Sequence, residues 1–469
     1  MNILTLNLDE KINKPMYIQI YEQIKEKIIH KEILENEKLP AKRILAKQLD
    51  VGINTVENAY LQLIDEGYIV TIERAGYYVV EIDNLFLLYK EDNEVEKVQQ
   101  KSSSNNIFKY SGIDTEFFPY NTFYKLNRDV IADQTIELLN LDDPRGYLPL
   151  REEIVKYLNH SRMIKTTADN IIISAGSEYL FQILFQILPR DYLYGIEDPG
   201  YERLNNLFLR NNIKYTTVSL DQYGMNHHEI VSQKINVACI TPSHQFPLGI
   251  IMPIKRRMEI INWALSSKNH YIVEDDYNSE FKYIGKPIPA LKSLVNSDQI
   301  IYISSFSKSI APGFRTSFMV VPNNLMNIFL NSSSNFICPV SIYTQKLLML
   351  FIKQGYFEKH INKMRKLYKE KRDIIVELFS KYNNIEILGA EAGIHFIVKV
   401  SSVKESILIK TLQENDINID GLTKYYQKPV ATTDGYLLFG YGAIKKADVK
   451  IKMQEILTIF EQAGYIKRK

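Results

Sequence analysis

A chain of 469 residues exceeds a single ordinary core, and at roughly 100–200 residues per domain it predicts two to four units. With 45% hydrophobic and 24% charged residues it reads as a globular protein, and the run YLFQILFQILP is too short and too polar to span a bilayer, so no membrane partner is expected. The net charge of +2 offers no bulk argument for nucleic acid, the start MNILTLNLDEK has no secretory pattern, and Cys239 and Cys338 cannot build a disulfide framework; the expectation is a cytoplasmic chain with buried, inert thiols.

From Pro15 to His30, Ile20, Ile24 and Ile28 recur every four residues with Tyr17 and Tyr21 alongside, the period of a helix with one buried face. A short second helix is predicted after Leu39 and Pro40, with Ile44, Leu45 and Leu49 inward. A third runs from about Asn54, as N-cap, to Glu66, stopped by Gly67, with Val56, Ala59, Tyr60 and Leu63 inward. YIVTIE and YYVVEI then form a two-stranded wing turned at Arg74, Ala75 and Gly76. Three helices and a wing make a winged helix-turn-helix over residues 1–82.

The segments PMYIQIYEQIKEKI, LPAKRILAKQLDV and NTVENAYLQLIDEGY, with the wing glycine Gly76, resemble the GntR family in order and spacing. The resemblance implies a second helix lying across the backbone of double-stranded DNA and a third in the major groove. It points to Lys42, Arg43 and Lys47 for phosphates and to Asn54, Thr55 and Asn58 for the groove, where asparagine offers paired donors and acceptors to base edges. Two positions depart from the family pattern: Ala41 stands where serine is usual, and Ile53 where arginine is usual, at the start of the recognition helix. Residues 1–82 also hold ten Lys or Arg against thirteen Asp or Glu, an acidic balance for a DNA reader. A winged helix kept for dimerisation or protein contact is therefore the alternative.

Residues 83–106 have no apolar periodicity and include KEDNEVEKVQQKSSSNN, so they are predicted to be a linker with partial disorder. From residue 107 to 469, apolar runs alternate with helical patterns: IIIS, YLYGIE, INVACIT, HYIVED, IIYISS and SFMVVP read as buried parallel strands. That pattern predicts a doubly wound α/β domain whose ligands sit at the carboxyl ends of the strands.

Three of those strand ends carry chemistry. SSFSKSIAPGFR follows IIYIS, so Lys308 could form a Schiff base with an aldehyde and Arg315 could grip a phosphate bidentately. In YIVEDDYNSEF, Asp275 could keep a pyridine nitrogen protonated and Tyr277 could hydrogen-bond a ring oxygen. In IIISAGSEYLFQIL, Gly176 and Ser177 open a helix whose amino end can hold a phosphate. Taken singly, the first is more often a solvated loop, the second reads also as an acidic loop with a packing aromatic, and the third is a weak signal because many strand-to-helix turns contain Gly and Ser.

In this order the three stretches resemble the fold type I aminotransferases, and with the winged helix the whole chain resembles the MocR/GabR family of GntR-type transcription regulators. The resemblance implies a doubly wound, mainly parallel sheet with a smaller C-terminal α+β part, and pyridoxal 5′-phosphate (PLP) held covalently by Lys308, with Asp275 at the pyridine nitrogen and Tyr277 at the ring hydroxyl. It places Tyr201 of EDPGYER on the ring face, and Ser305, Arg315, Gly176 and Ser177 around the phosphate. It further implies a head-to-tail, domain-swapped homodimer on a promoter repeat, with no metal. The effector would be PLP itself, or an amine or amino acid captured as its aldimine.

TPSHQFPLG places Phe246 where aminotransferases usually have asparagine, and no arginine lies between Arg372 and Arg468, where the family's carboxylate-binding arginine falls. Arg203 matches a ligand-contacting arginine of the GABA-sensing relatives, or forms a surface ion pair. A working aminotransferase with an accessory N-terminal module is the competing reading.

Overall fold

The computed structural model describes residues 5–9, 14–81, 107–132, 136–141, 143–283, 289–332, 336–428, 430 and 432–469. It divides into two compact units, residues 1–102 and 103–469. The predicted linker 83–106 lies outside the described residues.

In the first unit, helices α1 (Met16–Ile29), α2 (Lys42–Leu49) and α3 (Ile53–Asp65) precede an antiparallel hairpin of β1 (Ile69–Ile72) and β2 (Gly76–Val79). One core joins them: Ile20, Ile24, Leu45, Val56, Ala59, Tyr60, Leu63, Ile69 and Val79 are all buried. Each of the buried Ile, Leu and Val side chains contributes on the order of 1.5–3 kcal/mol on leaving water. Two local expectations are corrected. Ile44 is 44% exposed, because α2 turns Leu45 and Ala46 inward instead. Asn54 is not the N-cap of α3: the helix starts one residue earlier behind Gly52, so Asn54 sits in the first turn with its side chain outward.

The large unit is built on an eight-stranded sheet. Its strands are β3 (Ile171–Ser174), β4 (Tyr194–Asp198), β5 (Tyr215–Asp221), β6 (Gly224–Met225), β7 (Val237–Ile240), β8 (Tyr271–Asp276), β9 (Ile300–Ser305) and β10 (Ser317–Val320). Their order across the sheet is β3-β10-β9-β8-β7-β4-β5-β6. From β9 to β5 the neighbours run parallel. Alternate residues bury on opposite faces: Val237, Cys239, Val273 and Ile301 pack into one cluster, Ala238, Ile240, Ile272 and Ile300 into another. Both faces are thus covered, the condition for a mainly parallel sheet.

The direction of β10 departs from the reading of SFMVVP as a parallel strand. SFMVVP runs antiparallel to both its neighbours, β9 and β3, with Ser317 opposite Ser305 on one side and Ser174 on the other. The reversal has a consequence for the site. The amino end of β10 lies at the carboxyl edge of the parallel strands, which carries Arg315, two residues earlier, to that edge. A second sheet, antiparallel in the order β11-β12-β14-β13, forms the smaller C-terminal part from β11 (Ile385–Leu388), β12 (His395–Val400), β13 (Asp420–Gly421) and β14 (Gly435–Gly440). Cys239 is buried as expected, whereas Cys338 is only half-buried.

Candidate PLP-type pocket and candidate DNA-reading face

Five strand ends and one strand start converge on a cavity of about 240 Å³. β3 leads to Gly176, Ser177 and Glu178, β4 to Tyr201 and Arg203, β7 to Thr241 and Phe246, β8 to Asp275 and Tyr277, and β9 to Ser305, Ser307 and Lys308; Arg315 arrives ahead of β10. Every cofactor and effector residue expected from the sequence, namely Lys308, Asp275, Tyr277, Tyr201, Gly176, Ser177, Ser305, Arg315 and Arg203, lines this one space.

The local backbone explains several positions. Ser305 caps the short helical turn Phe306–Ser309, its hydroxyl accepting from the backbone N–H of Ser307 at 3.1 Å, and this turn swings Lys308 back over the strand end. Helix α6 (Ser177–Ile187) starts behind Gly176, whose φ of +112° is hostile to other residues. A Cβ there would also lie 2.4 Å from Arg315 Nη2, so the guanidinium approaches the helix amino end only over a glycine. Arg315 Nη2 donates to the Ala175 carbonyl at 3.0 Å.

Lys308 Nζ donates to the Tyr110 carbonyl oxygen at 2.6 Å and stands 4.9 Å from the Tyr110 ring centroid. Burial, with the charge of Lys109 adding, pushes its pKa down to about 7. A large fraction is therefore the neutral, nucleophilic amine near neutral pH. Asp275 is pushed up to about 7, mainly by burial and then by Asp276, Glu178 and Glu197. A cationic ring nitrogen beside it would reverse that shift, so the carboxylate fits a protonated pyridine. Burial also raises the Tyr277 phenol, whose oxygen lies 3.3 Å from His244 Nδ1. A primary amine, a carboxylate, a phenol, a guanidinium and a helix amino end form the donor set that PLP needs, and the residues present fit the group.

Sequence reasoning missed several residues here. Tyr110 holds Lys308 from 198 positions away in sequence, and no local pattern marks it. Next to Asp275 in β8, Asp276 forms a buried ion pair with Arg162 at 2.7 Å and accepts from the Tyr302 hydroxyl at 2.6 Å. His244 and His395, both buried with ring centroids 5.0 Å apart, sit beside Tyr277. Glu178 reaches Arg315 at 3.5 Å and Arg203 at 3.7 Å. A larger cavity of about 390 Å³ lies between α5 (Leu148–Arg162) and the helix Tyr356–Phe379, away from the strand ends that carry this chemistry.

In the first unit, Asn54 and Asn58 are exposed on one side of α3 and Thr55 is half-buried, while Arg43 and Lys47 are exposed on α2. Lys42 differs from them: it is half-buried and bonded to Glu57 of α3, which raises its pKa. The cation assigned to a phosphate is already paired with the recognition helix. Ile53 is 46% exposed at the start of α3.

Comparison with known proteins agrees with both halves. Residues 16–79 match the bacterial regulatory proteins of the gntR family, and residues 114–429 match the aminotransferase class I and II family. The HTH-type transcriptional regulator YdeL of Bacillus subtilis is 34% identical over 453 residues, 95% of this chain and 97% of the relative. The chain belongs to the GntR-type transcription regulators that carry an aminotransferase domain. The MocR/GabR resemblance is thereby borne out. PdxR of Corynebacterium glutamicum, an HTH-type pyridoxine biosynthesis transcriptional regulator, is 25% identical over 454 residues, 97% of each chain. The kynurenine aminotransferase of Pyrococcus horikoshii superposes with a TM-score of 0.68 at 23% identity, covering 81% of this chain and 96% of that one, which shows the fold of the large unit. The regulator's first unit is of a DNA-binding class, and no described helix is long and apolar enough to cross a membrane.

Proposed function

We propose that this regulator binds PLP at Lys308 and that occupancy of the pocket biases how its winged helices engage a promoter repeat. The observation that carries the reading is the convergence of Lys308, Asp275, Tyr277, Arg315 and the α6 amino end on one cavity. When bound there, PLP supplies an aldehyde for condensation with a primary amine and a ring that withdraws electrons. The chain's own groups do the rest. Lys308 is held by the Tyr110 carbonyl as a partly neutral amine, Asp275 receives the ring nitrogen, and Tyr277 receives the ring hydroxyl. Tyr201 stacks, and Ser305, Ser177 and Arg315 hold the phosphate.

The proposed organisation is a winged helix over 1–82, a linker over 83–106 and a PLP domain over 107–469, working in the cytoplasm as a head-to-tail homodimer. An apolar band supports self-association: Tyr120, Tyr124 and Ile131 of α4 (Tyr120–Ala132), with Ile136 and Leu139 beyond it, are all more than 60% exposed. Such a band exceeds the scattered apolar residues of an ordinary surface. The signal is PLP itself or an amine or amino acid. PLP is favoured because no arginine between 372 and 468 is available to fork a substrate carboxylate. Likeness to PdxR, a regulator of pyridoxine biosynthesis, points the same way.

The test is anisotropy of a fluorescent duplex from the chain's own upstream region beside a scrambled duplex, with full-length protein and increasing PLP. A PLP-dependent affinity change confined to the upstream duplex is expected, since a ligand shifts a two-state equilibrium only through different affinities for the two states. Equal binding to both duplexes at every PLP concentration, together with multiple turnovers of an amino acid with 2-oxoglutarate, would establish the enzyme reading instead.

A further inference from the structure

The cup that would receive a phosphate contains a carboxylate. Glu178, in the first turn of α6, points its Oε2 at Arg315 Nη2 at 3.5 Å and its Oε1 at Arg203 Nη1 at 3.7 Å, and it accepts a hydrogen bond from the Tyr201 hydroxyl at 3.5 Å. Its side chain is about three-quarters buried, at 24% exposure, whereas those of Arg315 and Arg203 are half or more exposed. The α6 amino end and Arg315 attract anions, and Glu178 already satisfies that attraction from within the chain. A phosphate dianion arriving at the same place meets a like charge within a few ångströms, on a side chain that is itself three-quarters buried.

We infer that Glu178 is an internal counter-ion of the phosphate cup, which a phosphate-bearing aldehyde must displace from Arg315 toward Arg203. The inference rests on the proposed PLP reading and deepens it. Arg203 is the second cation already within reach of the same carboxylate, so the displaced Glu178 has a place to go without losing all its partners. The contest makes the phosphate ligand exchangeable, which suits a chain that reports its concentration. It also assigns Arg203 a role distinct from gripping a substrate carboxylate: it stores Glu178 when the cup is filled.

The experiment is a spectrophotometric titration of full-length wild type, Glu178→Gln and Arg203→Gln with two probes, PLP and pyridoxal, which lacks the phosphate. Equilibrium dialysis gives a second, colour-independent reading of affinity. Glu178→Gln keeps the side-chain shape, and it should tighten PLP by roughly tenfold or more while changing pyridoxal by less than about twofold. Arg203→Gln should weaken PLP and leave pyridoxal unchanged. Equal PLP affinity in wild type and Glu178→Gln, or an equal gain for both probes, overturns the counter-ion role. If neither probe gives a Lys308-dependent signal in the wild type, the PLP reading itself fails and takes the inference with it. A signal that appears but ignores Glu178 leaves the PLP reading standing and removes only the inference.

Discussion

Two charge pairs, one in each unit, are held in opposite ways. On the α2–α3 side proposed to read DNA, Arg43 and Lys47 are exposed, and half-buried Lys42 is tied to Glu57 in a contact that water can dissolve. Inside the large unit, Arg162 and Asp276 are paired with side chains almost wholly out of water, and Asp276 also accepts from Tyr302. An exposed ion pair is worth about 0–1 kcal/mol and can exchange partners at small cost. Removing one member of a buried pair strands the other and costs about 3–5 kcal/mol. The first is suited to re-pairing when a polyanion arrives. The second is a fixed pair inside the large unit, anchored on the strand that carries Asp275.

The largest expected effect is at Lys308. Lys308→Ala should abolish the absorbance of protein-bound PLP and its borohydride-stable label while leaving fold and association intact, because the side chain supplies a nucleophile and not core volume. A mutant that keeps the label would remove Lys308 from this role. Capture of PLP should also quicken as pH rises through about 7, the value to which burial depresses this amine. The stability sign follows from the same shift. Between about 7 and the ordinary lysine value of roughly 10.5 the unfolded chain holds the extra proton, so this group's contribution to stability rises with pH across that window. Stopped-flow capture rates that stay flat across the window would contradict the depressed value.

Next in size is the buried ion pair. Asp276→Asn should lower unfolding free energy by about 3–5 kcal/mol in denaturant titration, since the Arg162 guanidinium loses its buried partner. Glu57→Gln on the exposed face should change unfolding by less than about 1 kcal/mol. Comparable losses at both positions would erase the contrast between the two pairs.

What the sequence made legible divides along the same line. Val56, Ala59, Tyr60 and Leu63 were readable because a helix repeats its buried face every three to four residues, and all four are buried. The pocket positions Lys308, Asp275, Tyr277 and Gly176 were readable because each closely follows an apolar strand run, a local signal. The direction of β10 was not, since an apolar run of four residues looks the same in either sense. Ile44 was misplaced because an eight-residue helix offers too few turns to settle its phase. Tyr110 at Lys308, Arg162 at Asp276 and Glu57 at Lys42 are encounters created by folding, between segments with no shared pattern.

A smaller effect is expected on α3. Asn58→Ala should cost roughly 1–3 kcal/mol on a cognate duplex and much less on a scrambled one, because a bidentate amide contact to a base edge discriminates sequence where a phosphate contact does not. Competition with single-position variants of the duplex should localise the lost preference to one base pair. A uniform loss across all duplexes would reassign Asn58 to the backbone.

The smallest effect, and the sharpest test of the exposed surface, is again Glu57→Gln, now read through DNA. In the free chain Lys42 is bonded to Glu57, so reaching a phosphate means breaking that pair first, while Arg43 and Lys47 are exposed and ready. Removing the carboxylate charge frees Lys42 and removes a like-charge repulsion with the backbone, and both changes act on every sequence equally. Glu57→Gln should therefore tighten upstream and scrambled duplexes alike, by a few-fold, and steepen the dependence of log affinity on log salt by up to about one unit. Arg43→Ala should move the slope by about one unit in the other direction. If Glu57→Gln leaves the slope unchanged while Arg43→Ala lowers it, Lys42 contributes nothing to the phosphate contacts, and its pairing with Glu57 serves only to join α2 to α3.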